Sequence, residues 1–170
     1  VGFDPEFVSA DIAEPCRIAH KNLNNLAHFP IADAGISPTH WQASTFPESF
    51  REKITVVHDG IDTTTVKPDG SAVIALTDGR TLSKKDEVVT FINRNLEPYR
   101  GYHVFMRALP RMLRDRPNAR FILIGEDGVS YGSKPDQEKY GGRNWKTIFV
   151  DEVKDQISPE DWRRVHFVGK

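Results

Sequence analysis

The spacing of apolar residues changes along the chain from helical to strand-like and back. Ile12, Cys16, Ala19, Leu23 and Leu26 recur at intervals of three and four, which is one face of a helix. Pro15 suits the first turn of that helix, where a missing N–H costs nothing. Ala32-Asp33-Ala34-Gly35-Ile36 is a short strand candidate of small residues, and Thr39 is placed to cap a short helix through Trp41 and Ala43. Phe46-Pro47-Glu48 begins another turn. Ile54-Thr55-Val56-Val57-His58 is rich in β-branched residues and predicts a strand, which Asp59-Gly60 ends. Val73-Ile74-Ala75-Leu76 and Arg80-Thr81-Leu82 flank Thr77-Asp78-Gly79, a pattern that predicts a hairpin.

From Val88 the pattern becomes strand, helix, strand. Val88-Val89-Thr90-Phe91-Ile92 reads as a strand buried on both faces of a parallel sheet. A loop is expected from Asn93 to Arg100. Gly101 then opens a helix with Val104, Phe105, Ala108, Leu109, Met112 and Leu113 on one side. Pro110 should kink that helix or divide it. Phe121-Ile122-Leu123-Ile124 is the next buried strand, ended by Gly125, and the crossover should be right-handed. Residues 126–143 are polar and Gly-rich and read as a long loop. Trp145 to Val153 predicts a helix, Ser158 and Pro159 mark another helix start, and Val165-His166-Phe167-Val168-Gly169 a third strand. Trp41, Trp145 and Trp162 fall at helix positions and read as packing anchors.

Composition narrows the class. With 170 residues, 38% of them hydrophobic and 28% charged, the chain reads as a soluble domain or parts of two. The longest apolar runs are far too short to cross a bilayer, and the amino terminus has neither the basic stretch nor the apolar core of a signal peptide. The absence of a starting Met suggests an excised segment. A net charge of -1 argues against nucleic acid as a partner. Arg107, Arg111, Arg114, Arg116 and Arg120 form a local basic group, read as a solvated helix face and loop in preference to a polyanion site. The single cysteine, Cys16, sits in the helical stripe and reads as a buried core thiol, which fits a cytoplasmic setting. No His, Cys, Asp and Glu cluster has metal spacing, so no metal or other cofactor is expected. His40 and His58 read as loop and strand-end residues.

The chemistry concentrates in Asn93-Arg94-Asn95-Leu96-Glu97-Pro98-Tyr99-Arg100-Gly101. Ligands of open α/β sheets bind at the carboxyl ends of the strands, and a helix amino end attracts anions. Arg94 and Arg100 flank such an end and could grip a pyrophosphate through paired, charge-assisted hydrogen bonds. Gly101 leaves room for phosphate oxygens at the backbone. The same spacing also fits a surface loop in which Arg94 or Arg100 pairs with Glu97.

This stretch, followed by Phe105-Met106-Arg107-Ala108-Leu109-Pro110 and Ile122-Leu123-Ile124-Gly125, resembles the donor half of group 1 (family 4) glycosyltransferases. Residues 54–62 are similar to that family's strand and Asn-Gly-Val-Asp turn, with Asp59 in place of the Asn. Residues 32–42 are similar to the last strand-and-helix unit of its acceptor domain. Asp4-Pro5-Glu6-Phe7 and Ser130-Tyr131-Gly132 resemble one bacterial branch. The resemblance implies an α/β fold: a partial GT-B (Rossmann-like) architecture of parallel strands with flanking helices, plus a β-hairpin at the domain junction. It implies residues 1–62 as the end of an acceptor domain, 63–87 as the junction and 88–170 as the first part of a donor domain.

By the same resemblance Arg94 and Arg100, beside Gly101, bind the donor diphosphate; the family often has Lys at the second position. Asn93, Gly60, Gly125, Ser130 and Tyr131 are expected to line the donor pocket. For Ser130 and Tyr131 a flexible loop with an incidental aromatic is an equal reading. The family's Glu-x7-Glu stretch should lie beyond Lys170, so no catalytic residue is expected in this segment, which alone should be inactive. The implied parent retains configuration while moving a sugar from a nucleotide-diphosphate donor to a hydroxyl acceptor, in bacterial surface polysaccharide or glycan synthesis. Two other readings stand beside it: a non-enzymatic nucleotide- or phosphate-binding α/β module, and a structural piece whose exposed sheet edges favour self-association.

Overall fold

A computed structural model describes residues 6–7 and 12–169. Asp4 and Pro5 of the Asp4-Pro5-Glu6-Phe7 motif lie outside the described residues. The chain divides into two compact units, Val1–Pro68 and Asp69–Lys170. The fold is mixed α/β, with parallel sheets flanked by helices.

In the first unit, α1 (Glu14–His28) carries the helical stripe, with Pro15 in its first turn. A 3₁₀ turn, Phe29–Ile31, leads to β1 (Gly35–Ser37), which pairs in parallel with β2 (Ile54–Val56). Between them lie α2 (His40–Ser44), capped by Thr39 accepting from the Gln42 amide at 3.1 Å, and α3 (Glu48–Arg51). Phe29 stacks on Phe50 at 4.8 Å and tilts against Phe46 at 4.9 Å, which makes these rings the packed centre of the unit. Among the described residues of this unit, only Ser37 is fully buried.

The second unit opens with an antiparallel hairpin, β3 (Val73–Ala75) and β4 (Thr81–Ser83). A three-stranded parallel sheet follows, in the order β5 (Val88–Asn95), β6 (Arg120–Glu126), β7 (Val165–Val168). Phe121, Ile122 and Leu123 of the central strand are fully buried because both faces are covered. On one side Ile122 packs with Leu76 and Leu82 of the hairpin. On the other side α4 (Tyr102–Asp115) buries Tyr102, Met106, Leu109 and Leu113, and α6 (Trp145–Val153) packs beside it. A run of ring contacts links Phe91 to Tyr102, Tyr102 to Phe149, and Phe149 to Trp145. The short helices α5 (Gln137–Tyr140) and α7 (Pro159–Trp162) complete the unit. Asn144 caps α6, and Ser158 caps α7.

Several expectations are corrected. Cys16 is exposed, and so are Ile12, Leu23 and Leu26, because no described layer covers the apolar stripe of α1. Trp41 is 73% exposed and anchors nothing, whereas Trp145 is buried. β5 is an edge strand with Thr90 and Ile92 exposed, so it is not covered on both faces. It also runs three residues further than expected, to Asn95, and β6 continues through Gly125 to Glu126. The buried side of α4 includes Tyr102, His103 and Met106 and leaves Val104 60% exposed. Pro110 does not divide α4: buried residues on both sides of it hold one continuous helix against a proline penalty of about 3 kcal/mol.

Candidate functional site

The carboxyl ends of β5 and β6 carry two loops that are tied to each other. Where β5 leaves the sheet its register against β6 shifts between Ile92 and Asn95, so strict alternation of side chains stops there. Asn95 is buried, and its side-chain amide donates to the Ser130 hydroxyl at 2.6 Å. Glu97 is completely buried. Its carboxylate accepts from the backbone amides of Ser130 at 3.0 Å and Gly132 at 3.3 Å. A side chain at position 132 would press on this arrangement, since a Cβ there would lie 3.2 Å from both Glu97 Oε2 and Tyr99 Cβ. Residues 128–132 are therefore anchored in the second unit through buried polar groups.

Arg100 ends the 3₁₀ turn Pro98–Arg100, directly before α4. Its guanidinium lies over the Tyr131 ring, 5.0 Å from the centroid, and Tyr99 and Tyr131 meet at 6.2 Å. Both tyrosines are mostly exposed. Among the described residues, no carboxylate forms an ion pair with Arg100 or Arg94, so Glu97 is not the partner of either. Glu97 instead turns its carboxylate inward to the loop amides. Arg94 is exposed, and Asn93 donates to the Arg100 carbonyl at 3.4 Å.

Gly101 joins the 3₁₀ turn to α4 at φ 77°, a left-handed conformation that a side chain would strain. Its amide donates to the Pro98 carbonyl at 2.8 Å, and the Tyr102 amide donates to the Glu97 carbonyl at 3.3 Å. These two amides at the helix mouth are therefore engaged, and the cationic character of the site rests on the guanidinium groups. Gly125 is buried inside β6, where a Cβ would lie 2.9 Å from Leu96 Cδ2, so its bareness serves packing. Gly60 belongs to the first unit, past β2 at φ 84°, with its amide donating to His58 Nδ1.

Beneath the loops, burial pushes the Tyr102 phenol well above its ordinary range, with the nearby Asp127 carboxylate adding to the shift. Asp127 pairs with Lys146 of α6 at 3.1 Å, and the Trp145 indole donates to the Ser133 carbonyl at 2.8 Å. The loop after β6 is thus fixed to α6 as well as to β5.

Residues 1–66 match the model of the glycosyl transferase family 4 group. None of the curated proteins compared with the chain matches it. The family match supports glycosyl transfer as the general activity. It covers the first unit and ends before the second, where the tied loops lie. Among the described residues no helix is long and apolar enough to cross a membrane, and no group of three or more His, Cys, Asp and Glu side chains could hold a metal ion.

Sequence reasoning gave Asn95 and Tyr99 no role and Glu97 only that of a partner for the arginines, whereas Asn95 and Glu97 tie the two loops together and Tyr99 meets Tyr131. The available signal was weak: an acid between Leu96 and Pro98 just past an apolar strand, and a Gly- and Ser-containing stretch downstream with amides to satisfy.

Proposed function

We propose that this chain is a segment of a glycosyltransferase that takes its sugar from a nucleotide-diphosphate donor, with Arg94 and Arg100 beside the amino end of α4 holding the diphosphate. The observation that carries this reading is the Arg100 guanidinium. It has no carboxylate partner among the described residues, and it sits against Tyr131 on a loop locked by buried Glu97.

Sugar transfer leaves negative charge on the departing diphosphate. Guanidinium groups held ready before the reaction stabilise that charge without reorganising. An aromatic ring against one face of Arg100 restricts its rotamers while leaving the N–H edge open to phosphate oxygens. The engaged amides of Gly101 and Tyr102 shape the turn, and the positive end of the α4 dipole adds a modest favourable field. The acceptor would be a hydroxyl compound, and a cytoplasmic role in bacterial surface polysaccharide synthesis is the setting that the sequence resemblance suggests.

The test is calorimetric titration of the chain with uridine diphosphate and guanosine diphosphate. Arg94→Ala and Arg100→Ala should each weaken binding by roughly tenfold or more. Binding that ignores both substitutions removes the assignment.

A further inference from the structure

The opposite end of the second unit's sheet holds a second concentration of positive charge. A hollow of about 510 Å³ opens beside the amino ends of β6 and β7. β6 is seven residues long, so this end lies about 20 Å from the loops that carry Arg100. Five guanidinium groups line the hollow against two carboxylates, Glu160 and Asp161, a net charge of plus three. They come from separate segments: Arg80 from the hairpin, Arg114 from the last turn of α4, Arg120 from the start of β6, and Arg163 and Arg164 from the turn into β7.

Their contacts separate structural arginines from available ones. Arg164 holds the fold: it donates to the carbonyls of Leu113, Arg116 and Ala119 and pairs with Asp161 at 2.6 Å. Arg120 donates one N–H to the Arg163 carbonyl, and Arg80 meets Asp78 only at 3.7 Å. Among the described residues, the Arg114 and Arg163 side chains have neither a hydrogen bond nor an ion pair. The three arginines of the same basic group that lie outside the hollow behave differently. Arg107 pairs with Glu152 at 2.6 Å, Arg111 with Asp115 at 3.3 Å and Arg116 with Glu87 at 3.4 Å. The basic group that reads from sequence as one solvated face is therefore sorted by the fold into paired arginines and a hollow with unpaired ones. The carboxyl end of α4 contributes partial negative charge here, so a ligand must carry more than one charge to be held.

We propose that this hollow binds an oligophosphate group, gripped through the N–H edges of Arg114 and Arg163 with Arg80 and Arg120 beside them. Free pyrophosphate and a lipid headgroup that carries a pyrophosphate share this chemistry. The proposal does not depend on the donor-site reading. Its test uses the full chain carrying Arg94→Ala and Arg100→Ala, so that binding at the other loops is removed. Inorganic pyrophosphate is titrated by calorimetry, and cosedimentation is measured with phosphatidylcholine vesicles with and without a lipid that carries a pyrophosphate headgroup. Binding in either arm should fall roughly tenfold or more when Arg114→Gln and Arg163→Gln are added. It should be unchanged by Arg111→Gln, a charge of the same helix outside the hollow. Neither replaced side chain makes a hydrogen bond or an ion pair among the described residues, so the variants should keep the parent's circular dichroism. Binding in the pyrophosphate arm alone identifies the free anion, and binding in the vesicle arm identifies the headgroup. The absence of binding in both arms, or binding that the double substitution leaves intact, overturns the proposal.

Discussion

At the scale of single residues, the candidate site depends on a carboxylate that never meets the arginines. Spacing alone makes Glu97 an obvious partner for Arg94 or Arg100. The fold instead buries it and gives it the amides of Ser130 and Gly132. A buried carboxylate needs such donors, because leaving it unpaired is far costlier than the bonds are strong. Glu97→Ala would leave both amides without their acceptor. It should destabilise the chain by on the order of 3 kcal/mol in urea unfolding and speed hydrogen exchange at Ser130 and Gly132. Unchanged stability with both amides still protected would show that Glu97 does not anchor the loop. The positions of Arg100 and Gly101 were legible from the motif. The inward turn of Glu97 was not, because the donors that satisfy it lie more than thirty residues away.

At the scale of elements, burial was predicted well where a strand is central and poorly where it is an edge. β6 matched its apolar run because the hairpin covers one face and α4 the other. β7 contains His166, which pairs in register with Ile122 on the strand next to it. Desolvation lowers the His166 pKa below its ordinary value; Asp78 raises it, and Arg120 and Arg80 lower it further. Among the described residues, its buried Nε2 has no hydrogen-bond partner. The unfolded chain, titrating near 6.5 at this position, binds more protons than the folded one just below that pH. Stability should therefore be level above about pH 6.5 and decline as pH falls through the window down to the folded value. Urea midpoints between about pH 7.5 and pH 5.5 should show this decline, and His166→Leu should flatten it. The carboxylates with lowered pKa values, such as Asp86 and Asp161, titrate below this window and do not confuse the reading. A wild-type midpoint that does not move with pH would contradict the burial argument.

At the scale of the whole molecule, the two units differ in what holds them. Every buried hydrophobic residue among those described lies in the second unit. The first relies on half-buried Phe29, Phe46 and Phe50 and a two-stranded sheet, little apolar burial to offset chain entropy. Residues 69–170 expressed alone should keep a cooperative unfolding transition, while residues 1–68 alone should not. Limited proteolysis of the intact chain should nick the first unit earlier. Equal resistance of the two units would count against this account.

The amino-acid pattern by itself determined the order of the strands and of the two longest helices in the second unit, though not the short helix Gln137–Tyr140 inside the expected loop, together with the hairpin at Asp78-Gly79, the caps at Thr39 and Ser158, and the motif that carries Arg94 and Arg100. Each of these depends on neighbours within a few residues, where backbone geometry and local hydrogen bonds dominate. Only the tertiary structure decided which apolar faces are covered, as the exposed stripe of α1 and the edge position of β5 show. Tertiary contacts also turned Glu97 inward and gathered arginines from separate segments around one hollow. Burial and charge environment are set by residues distant in the chain, so local periodicity carries no record of them.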